Sequence, residues 1–276
     1  MQGMEELAPA KVNLFLRVLR RREDGFHEIE TSMAPITLCD SLEIEPANKF
    51  EFHCDEPNLA GDENLVVRAA RLFFSETNRE PKVRLTLGKE IPHGAGLGGG
   101  SSDAAAALRG LNRFFDAGLS RERLSTLAAQ LGSDVSFFLN ETAAICRGRG
   151  EIVTPTDLPE PLSLLLLKPE FGIPSSWAYS RWQATREVAG EIYRPQKFGD
   201  IIFVNDLERP VFEKFVFLAH MKTWLLKQPE VGAALMSGSG STIFAVLRSN
   251  GDGDLVAQRA KFELDSELWS YVCETI

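Results

Sequence analysis

The residues with the clearest capacity for chemistry form an uninterrupted run of small side chains. The run consists of Pro92, His93, Gly94, Ala95, Gly96, Leu97, Gly98, Gly99, Gly100, Ser101 and Ser102. Glycine lets a ligand approach the main chain closely and permits backbone angles that other residues avoid. A turn of this composition before a helix directs several N–H groups to one point, where the helix N-terminus adds partial positive charge. The run therefore predicts a phosphate-binding loop, and the alternative is a tight strand-to-helix turn without a ligand.

Two common phosphate-binding motifs do not describe this run. No Lys-Ser or Lys-Thr pair follows the last glycine, which excludes the P-loop pattern of nucleoside triphosphatases. Pro92 and His93 separate Ile91 from the first glycine, whereas a dinucleotide fingerprint needs a strand directly before its glycines. In composition and place, the run resembles the ATP loop of the galactokinase, homoserine kinase, mevalonate kinase and phosphomevalonate kinase (GHMP) superfamily.

A lysine and an asparagine near the N-terminus share one face of a predicted strand. Apolar residues alternate from Val12 to Val18, which indicates a half-buried strand. Because successive side chains point to opposite faces, the second face is expected to carry Lys11, Asn13, Phe15 and Arg17. A lysine at the start of a strand is, taken alone, most often a solvated side chain.

An aspartate further along the chain is a candidate partner for this lysine. Asp134 follows Ser133 at the predicted start of a short buried helix, where aspartate is also a common N-cap. If Lys11 faced Asp134 across a cleft, it would keep the carboxylate ionised and place it to accept a proton from a hydroxyl. Phosphoryl transfer needs phosphate donors, a nearby positive charge and a residue that orients the nucleophile. The loop, Lys11 and Asp134 would meet these three needs.

The composition limits the class of protein. Of the 276 residues, 44% are hydrophobic and 25% charged, as in a folded globular protein. The formal net charge of −9 argues against a nucleic-acid partner that requires a broad basic surface. The N-terminus lacks a secretory signal, no apolar stretch approaches the length of a membrane span, and the four cysteines have no metal-ligand spacing. These features predict a cytoplasmic protein with reduced thiols and no membrane partner.

The pattern of strands and helices predicts how these residues are positioned. Further strands are expected at 41–45, 50–54, 83–87, 162–167, 242–247 and 268–273, and helices at 64–76, 101–115, 120–132, about 254–264 and parts of 205–226. Three prolines within 154–161 mark the best boundary, between an N-terminal domain 1–157 and a C-terminal domain 158–276. The order of elements suits an α+β fold with a mostly antiparallel sheet.

Several motifs follow one another in the order found in one branch of the GHMP kinases. They are 8–14 (Ala-Pro-Ala-Lys-Val-Asn-Leu), 21–28 (Arg-Arg-Glu-Asp-Gly-Phe-His-Glu), the glycine-rich run, 131–135 (Leu-Gly-Ser-Asp-Val), 205–208 and 237–242. Over nearly its whole length the chain resembles kinases that phosphorylate the 2-hydroxyl of 4-diphosphocytidyl-2-C-methyl-D-erythritol in the non-mevalonate isoprenoid pathway. The resemblance implies ATP as phosphoryl donor together with Mg²⁺, residues 92–102 around the ATP phosphates, and Lys11 and Asp134 as the catalytic pair.

The same resemblance implies residues that bind the acceptor. Phe26 and His27 match a Tyr-His pair that grips the cytosine, Tyr179 matches a second aromatic against the base, and Asn13 is expected to hydrogen-bond the substrate. Here phenylalanine replaces the usual tyrosine. Stacking needs only the aromatic face and survives the change, whereas a hydrogen bond from the tyrosine hydroxyl is lost. Without the surrounding motifs, Phe26 would be interpreted as a residue tucked under a turn and His27 as a surface histidine.

The resemblance also implies the fold and leaves two alternative functions. We expect a two-domain GHMP kinase fold, with an N-terminal ribosomal-protein-S5-domain-2-like domain and a C-terminal ferredoxin-like α/β sandwich. The partner would be a small molecule, the cytidine diphosphate-linked methylerythritol, bound by a monomer or homodimer. No metal ligand is assigned. The alternatives are another GHMP kinase, with homoserine, mevalonate or a sugar as acceptor, and a nucleotide-binding regulator without catalysis.

Overall fold

The computed structural model describes residues 3–140, 142–185 and 193–276. The strands are β1 (Met4–Arg21), β2 (His27–Pro46), β3 (Glu51–Cys54), β4 (Val83–Gly88), β5 (Ala144–Gly148), β6 (Ile152–Pro155), β7 (Ser163–Lys168), β8 (Gln196–Phe198), β9 (Ile201–Asn205), β10 (Val231–Met236), β11 (Ile243–Leu247) and β12 (Trp269–Glu274). The α-helices are α1 (Leu65–Thr77), α2 (Gly99–Phe114), α3 (Arg121–Leu131), α4 (Ser175–Arg181), α5 (Glu208–Lys214), α6 (Val216–Leu225) and α7 (Gly253–Glu263). Short 3-10 helices occur at Pro57–Leu59, Phe137–Leu139 and Trp182–Ala184.

Two sheets organise the described residues, and the predicted α+β class is confirmed. The first has the order β3-β4-β2-β1-β9-β8, with β5 and β6 continuing from β2, and the second has the order β10-β11-β7-β12. Pairing is mostly antiparallel, with parallel pairs only at β1–β9 and β3–β4 among the described strands. Helices α1, α2 and α3 pack on the first sheet around one apolar cluster, where the alanines 104–107 of α2 are fully buried.

A long antiparallel hairpin of β1 and β2 carries the predicted lysine, and irregularities in its register decide what each face presents. Lys11 lies in the middle of β1, which begins at Met4, and not at the start of the strand. The register shifts between Asn13 and Phe15, as in a β-bulge, and a bulge breaks the alternation of side chains. Lys11 and Asn13 therefore face one cavity, while Phe15 lines a second. The prediction that these residues share one face is wrong beyond Asn13.

The predicted helices are present, with small differences at their ends. Asn64 caps α1 by accepting a hydrogen bond from the Val66 amide at 2.8 Å, as expected from its position. Helix α2 begins at Gly99, two residues before the predicted start, because the glycines themselves form its first turn. Asp134 does not begin a helix: it lies in a turn that precedes the 3-10 helix Phe137–Leu139.

Two strands from the second half of the chain, β9 and β8, extend the first sheet beyond β1. Strand β9 runs parallel to β1, with Phe15 opposite Val204. Asp206 follows β9 and accepts hydrogen bonds from the Arg17 side chain at 2.7 Å and the Val18 amide at 3.0 Å. We propose that the boundary between the two domains lies between 157 and 158. Strands β8 and β9 follow this boundary in the sequence but pair with the first sheet.

Candidate active site

A cavity of 930 Å³ contains most of the residues that the sequence singles out. Its walls include β1, the glycine-rich loop, the turn at Asp134, α4 and the turn at 238–239. The predicted residues that line it are Lys11, Asn13, Phe26, His27, Asp134, Tyr179 and every residue from Pro92 to Ser101. Ser102 does not line it: the residue is fully buried, and its hydroxyl has no hydrogen-bond partner among the described residues.

Lys11 lies at the centre of the polar part of this cavity. The Lys11 side chain is almost fully buried, and its Nζ lies 3.9 Å from Asp134 Oδ2. The same ammonium donates hydrogen bonds to Asn13 Oδ1 at 2.5 Å and to the Gly96 carbonyl at 2.9 Å. Burial lowers the pKa of Lys11, while the carboxylate of Asp134 opposes that shift. The structure thus brings together the two residues predicted as a pair.

Asn13 is fixed by a short chain of hydrogen bonds. Its Nδ2 donates to Thr31 Oγ1 at 2.9 Å, and the Thr31 hydroxyl donates to the Phe15 carbonyl at 2.6 Å. Because the amide nitrogen is held by Thr31, the amide oxygen is directed to Lys11 Nζ. Asn13 therefore orients the lysine, a role that the sequence interpretation did not include.

The glycine-rich loop follows a path that only glycine permits at two positions. Gly96 and Gly98 have φ values of 77° and 75°, in the left-handed region. A Cβ on Gly96 would lie 2.9 Å from the Gly240 carbonyl oxygen, and one on Gly98 would lie 2.8 Å from the Phe138 ring. The Lys11 amide donates to the Leu97 carbonyl at 2.9 Å, which fixes the loop against β1. The loop therefore lies directly beside the lysine.

The second glycine-serine turn, at 237–242, contacts the first loop. Ser237 Oγ donates to the Gly96 carbonyl at 3.0 Å, and the Thr242 amide donates to the Ala95 carbonyl at 3.1 Å. Asn205 Nδ2 donates to the Gly238 carbonyl at 2.7 Å and thereby fixes the turn to the end of β9. The turn therefore supports the glycine-rich loop through the Ala95 and Gly96 carbonyls.

A buried charge cluster beside the loop was missed in the sequence interpretation. Lys89 Nζ forms ion pairs with Asp40 and with Asp103 Oδ2, the latter at 2.7 Å. Asp40 also accepts hydrogen bonds from the Glu90 and Ile91 amides, which orients the segment that enters the loop. Burial raises the pKa of Asp103 to about 8, although Lys89 opposes that shift. The sequence contained a signal for this cluster. Apart from Glu90, Lys89 is the charged residue nearest the start of the loop, and Asp103 is the charged residue nearest its end.

Aromatic side chains gather at the other end of the cavity. The rings of His27 and Tyr179 are stacked with centroids 5.5 Å apart, and Trp182 meets His27 edge-on at 6.2 Å. Phe26 is half exposed, and the Arg149 guanidinium lies 4.8 Å from the centre of its ring. Burial lowers the pKa of His27, and Arg21 adds to the shift, so the imidazole tends to be neutral. These rings form a flat-sided recess suited to a nucleobase.

Family models match both halves of the chain. The model for the GHMP kinases N terminal domain matches residues 64–142, which include the glycine-rich loop and Asp134. The model for the GHMP kinases C terminal domain matches residues 191–265.

Curated relatives match the chain almost end to end. A 4-diphosphocytidyl-2-C-methyl-D-erythritol kinase from Methylacidiphilum infernorum is 40% identical over 280 residues, which cover 99% of this chain and 97% of the relative. The enzyme of the same name from Geobacter metallireducens is 36% identical and covers 94% of both chains.

Solved structures agree with these relatives. A crystal structure of 4-(cytidine 5'-diphospho)-2C-methyl-D-erythritol kinase has a TM-score of 0.78 and 36% identity, with 99% of both chains covered. Homoserine kinase from Cytophaga hutchinsonii has a TM-score of 0.71 but only 14% identity, covering 100% of this chain and 95% of that one, so it supports the fold alone.

Proposed function

Because the chain belongs to the 4-diphosphocytidyl-2-C-methyl-D-erythritol kinases of the GHMP family, we propose that its cavity transfers a phosphoryl group from ATP to the 2-hydroxyl of that acceptor. The observation that carries the proposal is the 3.9 Å separation of Lys11 Nζ and Asp134 Oδ2 beside the glycine-rich loop. The loop, the charge and the carboxylate required for phosphoryl transfer thus share one cavity.

Each part of the proposed phosphoryl transfer depends on particular residues of this cavity. The loop amides and the N-terminus of α2 bind the ATP phosphates. Asp134 accepts the proton of the attacking hydroxyl or aligns it, and Lys11 keeps the carboxylate ionised and stabilises negative charge on the transferred group. Asn13 holds Lys11 in place. Rate enhancement then comes from positioning and electrostatics, without a covalent enzyme intermediate.

The aromatic recess supports a nucleobase-bearing acceptor. Phe26 and Tyr179 offer ring faces, and the neutral His27 offers one donor and one acceptor to the polar edge of the cytosine. Homoserine, mevalonate or a sugar has no flat group for these faces to bind. The recess therefore favours the cytidyl acceptor over the other GHMP acceptors.

The side chains of the described residues do not form a metal cage. No group of three or more His, Cys, Asp or Glu among them could hold a metal ion. We propose that Mg²⁺ would arrive with ATP, whose phosphate oxygens would hold it.

The remaining partners and the location stay predictions from the sequence. No helix in the described part of the chain has the length and apolar character required to cross a bilayer. A cytoplasmic location, the lack of a nucleic-acid partner and a monomeric or homodimeric state are part of the proposal.

The direct test measures ADP release with a panel of alcohol acceptors. We expect turnover with 4-diphosphocytidyl-2-C-methyl-D-erythritol and none above background with homoserine, mevalonate or galactose. Preference for one of those three would replace the proposed acceptor. ATP binding without turnover on any acceptor would favour a nucleotide-binding regulator.

A further inference from the structure

The turn at 237–242 contacts the acceptor side of the cavity as well as the ATP loop. Ser239 Oγ lies 2.7 Å from Ser175 Oγ, and Ser241 Oγ donates to the Phe171 carbonyl at 2.5 Å. Ser175 is the first residue of α4, the helix that carries Tyr179. A single turn therefore links the glycine-rich loop to the start of the aromatic recess.

We propose that the hydroxyl pair of Ser239 and Ser175 is a positioning contact that fixes α4 and so sets Tyr179 against His27 for acceptor binding. The kinetic part of this inference rests on the proposed function, since it takes the recess to be the acceptor site. The structural part does not, because the stack of Tyr179 on His27 is a contact between two side chains of this chain.

The hydroxyl pair is one of several contacts that hold the short helix α4. The helix has only seven residues, and its N-cap, Pro174, makes no side-chain capping hydrogen bond. Helices this short are marginal in water without tertiary contacts. Ala178 is its one fully buried residue, and Tyr179 lies on the face that lines the cavity. Trp177 of α4 also packs edge-on against Phe215, with ring centroids 5.5 Å apart, so the contact at Ser175 adds a polar attachment at the start of a helix that apolar contacts hold further along.

The spacing of residues along α4 explains how the contact of Ser175 with Ser239 affects the position of the Tyr179 ring. Ser175 and Tyr179 are four residues apart, so they lie on the same helix face about one turn apart. Both line the cavity. A rotation of the helix that separates Ser175 from Ser239 would also move the Tyr179 ring across the face of His27.

The opposite end of the contact is rigid. Ser239 is only 5% exposed. It lies next to Gly238, whose carbonyl accepts from Asn205 Nδ2 at 2.7 Å, and two residues after Ser237, which holds the Gly96 carbonyl. The turn is held by its contacts with the glycine-rich loop. The hydroxyl pair therefore positions α4 relative to the turn, and not the turn relative to α4.

The kinetic test uses Ser239→Ala, Ser175→Ala and the double variant in steady-state assays. Loss of one net hydrogen bond predicts a KM for the acceptor about fivefold higher in each single variant, with kcat and the KM for ATP unchanged. The double variant should match the single ones, because the two hydroxyls act as one unit. Thr126→Ala is the control, since the Thr126 hydroxyl donates to the Glu122 carbonyl within its own helix, α3, and does not line the cavity.

A ligand-free measurement separates positioning from direct substrate contact. The Tyr179 ring current acts on His27, so the His27 ring-proton resonances should shift in Ser239→Ala and Ser175→Ala in the absence of substrate and stay in place in Thr126→Ala. Ser239→Thr and Ser175→Thr, which keep the hydroxyl, should restore the wild-type resonances.

Three results would overturn the inference. Unmoved His27 resonances with a raised KM for the acceptor would mean that the serines only touch substrate. An equal rise in the KM for ATP, or additive effects in the double variant, would mean that they do not act as a pair on α4. If the wild-type protein fails to phosphorylate the cytidyl acceptor, the proposed function fails, and the resonances still test the contact.

Discussion

Lys11 is buried, yet three polar groups determine where its ammonium group points. Asn13 and the Gly96 carbonyl accept its hydrogen bonds, and Asp134 lies at the distance of a loose ion pair. An ammonium fixed in this way stabilises developing charge without first having to reorganise, which is the main source of electrostatic catalysis. The carboxylate of Asp134 is more exposed, at 37% of its side chain, and remains reachable by an incoming hydroxyl.

The role of Asp134 predicts a strong effect on turnover. Asp134→Asn removes the proton acceptor but keeps the shape of the side chain, so we expect kcat to fall by at least about 100-fold with the KM for ATP little changed. Steady-state kinetics provide the measurement, and Asp157→Asn, on the second cavity, is the control. Unchanged turnover in Asp134→Asn would contradict the assignment.

Phe26 predicts an effect confined to the acceptor. Loss of base stacking in Phe26→Ala should raise the KM for the cytidyl acceptor about tenfold, and Phe26→Tyr should leave it equal or lower. The control is Phe262→Ala, because Phe262 is 92% exposed on the surface. A rise in the KM for ATP of the same size would place Phe26 on the donor side.

Among the elements, the glycine-rich loop depends most on its exact path. Its carbonyls accept hydrogen bonds from β1 and from the turn at 237–242, so both sides of the loop are held. A shift of the loop would also move the Gly96 carbonyl away from Lys11. The proposed phosphate site and Lys11 are therefore coupled through one backbone segment.

A matched pair of glycine variants tests this dependence. Gly96→Ala and Gly118→Ala both place alanine at positive φ, at 77° and 68°, but only Gly96 would bring its Cβ against neighbouring backbone. We expect about 1 kcal/mol of destabilisation for Gly118→Ala from backbone strain alone. Gly96→Ala should lose more stability in urea unfolding and should lose ATP affinity. Equal losses of stability in the two variants would show that the backbone around Gly96 accommodates a Cβ without an energetic cost.

Local patterns predicted the elements, and long-range pairing explains what they missed. The loop, the Asn64 cap and the nearness of Lys11 and Asp134 followed from short motifs whose order resembled one family. Lys89 meets Asp40 because β2 pairs with β4 and brings residues 49 positions apart into contact, whereas Asp103 reaches Lys89 from α2. The register shift between Asn13 and Phe15 depends on how β1 pairs with β2. The periodicity of the β1 sequence alone cannot predict it.

On the scale of the whole molecule, the buried cluster around Lys89 affects stability as well as the site. Asp103 Oδ1 has no hydrogen-bond partner among the described residues, and two carboxylates share one ammonium. An incompletely satisfied buried carboxyl is costly when ionised. Cys54 lies close enough to Lys89 and Asp103 to feel their charge, and Asp55 accepts a hydrogen bond from the Lys89 amide at 3.1 Å.

The raised pKa of Asp103 predicts a pH dependence of unfolding. The native state keeps this proton up to about pH 8, whereas the ordinary value is 3.8. Between these values the unfolded chain binds fewer protons, so the free energy of unfolding falls as pH rises. Asp103→Asn should remove part of this fall, which urea unfolding from pH 5 to 8 would measure. An unchanged slope, equal to that of Asp157→Asn, would contradict the prediction.

The parallel pairing of β9 with β1 has a consequence for how the chain matures during synthesis. Strand β1, which bears Lys11, has an unpaired edge at Phe15 and Leu16 until the ribosome has released residues beyond 205, and unpaired strand edges promote association between molecules. If the chain ended at the proline-rich segment 154–161, this edge of β1 would stay unpaired. The first half expressed by itself should accumulate as aggregates, which co-expression of the second half would reduce.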